Sequence, residues 1–169
     1  RGYMNTEKTK EGKILIVDDV PANIRAIAES LKADYQIFFA NDADKAIELA
    51  EAQRPDLILL DVNMPGINGF EACGILKSKK STAEIPVIFL TADANKESIV
   101  RGFNAGGVDY VTKPCSKEEL CARVRTHIEL KRSRQKLSEY VETLETMNRA
   151  LSKDLEFARK IQSNLIPSR

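Results

Sequence analysis

The chain reads as an α/β protein, a doubly wound parallel sheet of five strands followed by a long C-terminal helix that forms a coiled coil. Three observations predict this. Runs such as Ile14-Leu15-Ile16-Val17 and Leu57-Ile58-Leu59-Leu60 are continuously apolar, as strands covered on both faces must be. These runs alternate with helical patterns, and a βαβα alternation requires parallel strands with helices on both faces. From Ser116 onward neither Pro nor Gly interrupts the chain until Pro167, and a seven-residue rhythm sets in.

The short apolar runs, several rich in Val, Ile and Phe, predict strands at 13–17, 36–40, 56–60, 85–90 and 109–112. Between them, helical spacing predicts helices at 22–32, 43–53, 69–79 and 96–105. Five such units in roughly 115 residues fit the flavodoxin-like strand order 2-1-3-4-5. The ligand site of such a sheet lies outside the carboxyl ends of its strands. Asp18-Asp19-Val20-Pro21 follows the first strand in place of a glycine-rich loop, which argues against a dinucleotide or Walker-type nucleotide site.

Ser116-Lys117-Glu118-Glu119 has the capping-box pattern and opens the last helix. Nearly fifty residues of helix, on the order of 70 Å at 1.5 Å per residue, exceed what so small a domain can cover. Leu130, Leu137, Leu144, Leu151, Ala158 and Leu165 hold heptad position d, and Arg134, Val141, Asn148, Leu155 and Gln162 hold position a. Leucine at d with a polar Asn148 at a favours two parallel strands in register, so Leu137, Val141, Leu144, Asn148, Leu151 and Leu155 form the predicted dimer seam. Asp154 at g faces Arg159 at e of the partner. Arg134 and Gln162 weaken the seam, and an amphipathic helix covering a downstream domain is the competing reading.

Lys and Arg total 26 against 25 Asp and Glu, a formal net charge of +1, so no global field draws the 169-residue chain to nucleic acid or acidic lipid. No apolar stretch approaches the length of a membrane span, and the N-terminus lacks the apolar core of a signal peptide, which predicts a cytoplasmic protein. Residues 1–12 are expected to be disordered, with Arg1-Gly2-Tyr3 an expression scar ahead of Met4. Cys73, Cys115 and Cys121 form no Cys-x-x-Cys pair and read as unreactive thiols of a reducing compartment. His127, the one histidine, is expected on the helix surface.

The chemistry lies at the strand ends. Asp18, Asp19 and Asp61 crowd one sheet edge, where they repel one another unless a cation is present. A hard divalent ion, magnesium or manganese, suits such oxygen donors, and the backbone carbonyl of Asn63 can complete the set. A carboxylate attacks phosphorus when the transferring oxygens are neutralised, which makes Asp61 the candidate phosphoacceptor. Lys113 supplies a second positive charge and Thr91 a hydroxyl for a phosphoryl oxygen. Asn63 borders the attacking face and Asp93 the path of a hydrolytic water, so both are expected to tune dephosphorylation. Pro114 sets a tight turn after Lys113, in a peptide bond that the sequence leaves open between cis and trans.

Four segments, Ile16-Val17-Asp18-Asp19, Leu60-Asp61-Val62-Asn63-Met64-Pro65-Gly66, Leu90-Thr91-Ala92 and Gly107-Val108-Asp109-Tyr110-Val111-Thr112-Lys113-Pro114, resemble the receiver domain of bacterial two-component response regulators. Cys115 departs from the Phe usual after Lys-Pro. The resemblance implies that Asp61 is phosphorylated, that Asp18 and Asp19 bind magnesium, and that Thr91, Tyr110 and Lys113 relay the switch. It implies a histidine kinase or phosphotransfer protein as phosphoryl donor.

Residues 154–167 resemble the lead-in to metal-dependent serine phosphatase modules, and similar stalks precede cyclic-dinucleotide enzymes. The expected organisation is a receiver at 13–126, a coiled-coil stalk at 127–166 and the start of an absent output domain at 167–169. The expected assembly is a homodimer through the coiled coil, with no membrane partner. Two other classes compete. Haloacid-dehalogenase-like phosphatases also use a carboxylate nucleophile, but carry a second Asp where this chain has Asn63. A basic-zipper reading of residues 131–136 is disfavoured because Glu129 and Glu139 flank a short basic stretch, leaving nucleic acid an improbable partner.

Overall fold

The branched and leucine side chains of the five apolar runs need cover on two faces, and the fold provides it. The computed structural model describes residues 10–92 and 95–165. It contains one parallel sheet of strands β1 (Lys13–Val17), β2 (Gln36–Ala40), β3 (Leu57–Asp61), β4 (Val87–Thr91) and β5 (Asp109–Thr112). The strand order is β2-β1-β3-β4-β5, as expected. Helices α1 (Pro21–Leu31), α2 (Ala43–Gln53), α3 (Gly69–Ser78) and α4 (Lys96–Asn104) connect the strands, and α5 (Lys117–Leu165) closes the chain.

Alternation along each strand divides the core in two. Leu15, Val17, Ile58, Leu60, Val87 and Phe89 meet α2 and α3 through Ala46, Ala50, Ala72, Cys73 and Leu76. Ile14, Ile16, Leu57, Leu59, Ile88 and Leu90 meet α1 and α5 through Ile24, Ile27, Leu31, Leu120, Val124 and Ile128. β3 and β4 are buried at every position, whereas β2 exposes Gln36 and Phe39 at the sheet edge. The apolar density read from the sequence is therefore highest in the strands that carry the acidic edge.

Local chemistry sets the ends of the elements. Asp56 lies outside β3 because its side chain accepts the Lys13 backbone N–H at 2.9 Å. Asp42 caps α2, and Asn68 and Glu71 form a full capping box on α3. Pro21 opens α1 at the first turn, where its missing N–H costs nothing. Ser116 Oγ accepts the Glu119 N–H at 3.1 Å at the start of α5.

The chain divides into two units between Lys131 and Arg132. In the first, α5 buries Leu120, Val124 and Ile128 at every fourth residue. In the second, residues 132–163 are exposed throughout. Among the described residues, no helix is long and apolar enough to cross a membrane. Residues 1–9, Asp93 and residues 166–169, to which the N-terminal, dephosphorylation and output-domain expectations attach, lie outside the described residues.

The histidine expectation is corrected. His127 is half-buried, its Nε2 3.0 Å from Asp109 Oδ2, because it shares the inward side of α5 with Arg123 one turn earlier. Arg123 Nη1 donates to both Asp109 oxygens at 2.9 Å, and this cluster ties β5 to α5.

Candidate functional site

Parallel register brings three strand ends level. Val17 pairs with Leu60, and Asp61 with Leu90, so Asp18 emerges beside Asp61 across the point where the chain direction of winding reverses. Ligand oxygens of Asp18, Asp19 and Asp61 lie within 4.8 Å of one another. Asp18 is fully buried, and Asp61 is 4% exposed. From the end of β5, Lys113 reaches across with its Nζ 2.6 Å from Asp18 Oδ2 and 2.7 Å from Asp61 Oδ1.

Such crowding would be unstable without positive charge. Burial raises the Asp61 pKa above the usual carboxylate value; Lys113 opposes the rise, and the charges of Asp18 and Asp19 add to it. For Lys113, burial favours the neutral amine, but its hydrogen bonds to Asp18 and Asp61 outweigh that and hold it above its ordinary value. The carboxylates are hard oxygen donors in a cluster that fits a divalent ion of the magnesium class. Lys113 supplies the opposing charge here.

Two residues that the sequence reading missed shape this edge. Asn23, in the first turn of α1, donates through Nδ2 to Asp18 Oδ1 at 3.0 Å and Oδ2 at 3.1 Å, while the Val20 N–H donates to Oδ1 at 2.9 Å. An Asn one helical turn beyond Asp-Asp was the available signal. Gly69 opens α3 so close to β3 that a Cβ would lie 2.2 Å from the Asp61 carbonyl oxygen. Its N–H donates to the Val62 carbonyl at 3.0 Å. Only a residue without a side chain allows α3 to begin there.

Thr91 is buried at the end of β4, and its carbonyl accepts the Lys113 N–H at 2.7 Å. With Val62, Phe70, Phe89, Ile99 and Tyr110 it lines a narrow cleft of about 10 Å³, room for roughly one water. The Tyr110 ring sits edge-on to Phe103 at 6.4 Å and 82°. Asn63 is exposed in the loop after β3. The Lys113–Pro114 peptide is cis. A second, larger cavity of about 460 Å³ includes Asn23, Ile27, Lys113, Pro114 and Cys115. The thiols carry no disulfide, and burial pushes the Cys73 pKa up to about 11. The site thus brings together Asp18, Asp19, Asp61 and Lys113, with Thr91 joined through the backbone.

Residues 14–125 match the family described as the response regulator receiver domain. The chain is 41% identical over 144 residues to a probable cyclic di-GMP phosphodiesterase of Vibrio cholerae, covering 85% of this chain and 33% of that protein. It is 41% identical over 115 residues to the response regulator PleD of Caulobacter vibrioides, covering 68% of this chain and 25% of PleD. The chain therefore spans a third or less of the length of these relatives. Among solved structures, a putative response regulator from Chloroflexus aurantiacus superposes with a TM-score of 0.68 at 30% identity, over 71% of this chain and 99% of that one. The chemotaxis protein CheY4 of Vibrio cholerae superposes with a TM-score of 0.65 at 29% identity, over 68% and 96%.

Proposed function

The chain belongs to the response regulator receiver domain family, and from that premise we propose that Asp61 accepts a phosphoryl group from a histidine kinase or phosphotransfer protein. The observation that carries this reading is the Lys113 ammonium bridging Asp18 and Asp61 at the carboxyl edge of the sheet. An Asp61 carboxylate oxygen forms the new bond to phosphorus as the bond from phosphorus to the donor's imidazole nitrogen breaks, and the electron pair returns to that nitrogen. Magnesium, or manganese on the same donors, held by Asp18, Asp19, Asp61 and the Asn63 carbonyl, supplies charge to the transferring oxygens when bound. Asn23 and the Val20 N–H keep Asp18 fixed. Lys113 follows the phosphoryl charge and loosens from Asp18.

The switch follows from charge. Phosphorylation adds about −1.5 to −2 and strong acceptor oxygens. Charge-assisted hydrogen bonds from Thr91 and Lys113 contribute roughly 1.5 to 3 kcal/mol each, against about 5.5 kcal/mol needed to invert a 1:99 equilibrium. Two such bonds reach that value at the upper end of their range. Thr91 and Tyr110 line one cleft, so a shift of Thr91 changes the space beside the Tyr110 ring. Asn63 and Asp93 set the phosphoryl lifetime, and Pro114 fixes the turn that aims Lys113.

In this reading the protein is a cytoplasmic regulator whose receiver, expected at 13–126, runs on to Lys131, so that the stalk expected at 127–166 begins at Arg132. Stalks pair through Leu137, Val141, Leu144, Asn148, Leu151 and Leu155, and the pair passes the change to an output domain. A serine phosphatase is the output favoured by the sequence of residues 154–167. A cyclic-dinucleotide phosphodiesterase is the second reading, favoured because similarity to the Vibrio cholerae relative extends beyond residues 14–125.

Intact-mass spectrometry with a small-molecule phosphodonor and magnesium tests the core of this. A single phosphoryl adduct is expected, absent from Asp61→Asn and absent without magnesium. An adduct that survives Asp61→Asn overturns the assignment.

A further inference from the structure

The exposed half of α5 carries more apolar surface than one dimer seam uses. Besides d and a, three of the four g positions between 140 and 161 are large and apolar: Tyr140, Met147 and Ile161, which are 68%, 64% and 45% exposed. The fourth is Asp154. The e positions Ser138, Glu145, Ser152 and Arg159 are polar. Phe157, at position c next to g on the helix surface, is 67% exposed, so the extra apolar surface lies on the g side of the stalk.

That flank is a seam in its own right. Steps from d to g and back to d are three and four residues, the same spacing that a and d provide. From 137 to 161 the first seam reads Leu137, Val141, Leu144, Asn148, Leu151, Leu155 and Ala158. The second reads Leu137, Tyr140, Leu144, Met147, Leu151, Asp154, Ala158 and Ile161. Both share the d leucines, and each carries one polar break, Asn148 or Asp154. The two seams point about 50° apart around the helix, half of one residue's turn.

From this we infer that a second copy of the chain pairs with the stalk in either of two rotational settings, an a/d seam and a d/g seam, with Asn148 and Asp154 setting the balance. The inference rests on the stalk-pairing reading above. A strict seven-residue repeat imposes a supercoil that only a helix of matching repeat follows, and an identical helix in register matches it. Charge distinguishes the settings. In the a/d seam Asp154 lies at the flank opposite Arg159 of the second copy, an attractive pair. In the d/g seam two Asp154 carboxylates face each other across the axis, a repulsive layer. The a/d setting is the lower in energy, and the d/g setting is held back chiefly by one residue.

Disulfide trapping in the full chain tests this. Single substitutions Leu144→Cys, Val141→Cys and Met147→Cys report d, a and g, and the wild-type chain, whose thiols lie at 73, 115 and 121, sets the background. Leu144→Cys should cross-link in both settings, Val141→Cys strongly and Met147→Cys weakly but above background. Adding Asp154→Leu should raise the Met147→Cys yield severalfold and lower that of Val141→Cys, while Asn148→Leu should do the reverse. If Leu144→Cys cross-links but Met147→Cys stays at background even with Asp154→Leu, the two-setting inference is overturned and stalk pairing stands. If Leu144→Cys fails to cross-link and the wild type sediments as a monomer, stalk pairing itself fails and the inference falls with it.

Discussion

Helices α3 and α4 both begin beside the acidic edge, one after Asp61 and the other after Thr91, yet they are held very differently. α3 buries Gly69, Ala72, Cys73 and Leu76 and has a reciprocal capping box. α4 buries only Gly102 and exposes Val100 and Phe103. The contrast assigns the two sides of the site different mechanical duties. The side of Asp61 is anchored, so under the proposed phosphorylation Asp61 keeps its position when charge arrives. The side of Thr91 carries little buried area, so rearranging it forfeits little hydrophobic stabilisation.

The sharpest way to break this contrast is to place the same methyl group in both helices. Gly69→Ala drives a Cβ into the Asp61 carbonyl, and should destabilise the fold by about 3 kcal/mol in urea denaturation and abolish the phosphoryl adduct. A stable, phosphorylatable Gly69→Ala variant would show that α3 is not anchored as described.

Next in size is Lys113→Met. It leaves Asp18 and Asp61 without their counter-charge and should cost about 2 kcal/mol in metal-free buffer at neutral pH, with added magnesium restoring part of the loss. Denaturation curves with and without the ion measure both quantities, and no magnesium response would count against the donor set.

A smaller effect is expected where Asp109 joins β5 to α5. Although burial alone would raise its pKa, hydrogen bonds from His127, the Tyr110 N–H and Arg123 more than reverse that and hold it below the usual carboxylate value. A depressed folded pKa gives stability that is present above the unfolded value, about 3.9, and lost as pH falls through the folded one. Asp109→Asn should therefore cost roughly 1 kcal/mol at pH 7, with the gap to wild type closing below about pH 4. A gap that persists at lower pH would mean the carboxylate charge is not what ties the two elements.

The smallest change belongs to α4 itself. In Gly102→Ala the added Cβ meets the buried Phe89 ring at 3.0 and 3.2 Å, so the ring must give by a few tenths of an ångström. Gained helix propensity offsets the crowding, so stability should stay within about 1 kcal/mol of wild type. Hydrogen exchange should remain faster in α4 than in α3; equal protection of the two helices would remove the premise of the comparison.

The sheet and the cluster of Asp18, Asp19, Asp61 and Lys113 were legible in the sequence because both depend on short-range patterns. Continuous apolar runs mark doubly covered strands, and polar residues that end such runs fall at one edge when all strands are parallel. What escaped depends on distance across the fold. Asn23 falls inside the helix expected at 22–32, and its spacing one turn beyond Asp18-Asp19 hints at the site without showing that its amide reaches Asp18. Gly69 looked like a helix start, whereas its necessity comes from the backbone of another element. His127 was placed on the surface because a solitary histidine in a polar helix carries no local mark of a partner on β5. The shift of the third strand from 56–60 to Leu57–Asp61 has the same origin, since Asp56 is claimed by Lys13 of a neighbouring strand.

Lys113 turns the acidic edge into a filter on ionic valence. Any cation that settles between Asp18 and Asp61 must compete with an ammonium already making two short charge-assisted hydrogen bonds there. Sodium or potassium would replace one positive charge with another and lose directional bonds in the exchange, whereas a divalent ion doubles the charge facing the carboxylates. The abundant monovalent salts of the cell thus leave the lysine in place, and the edge responds only to an ion strong enough to dislodge it.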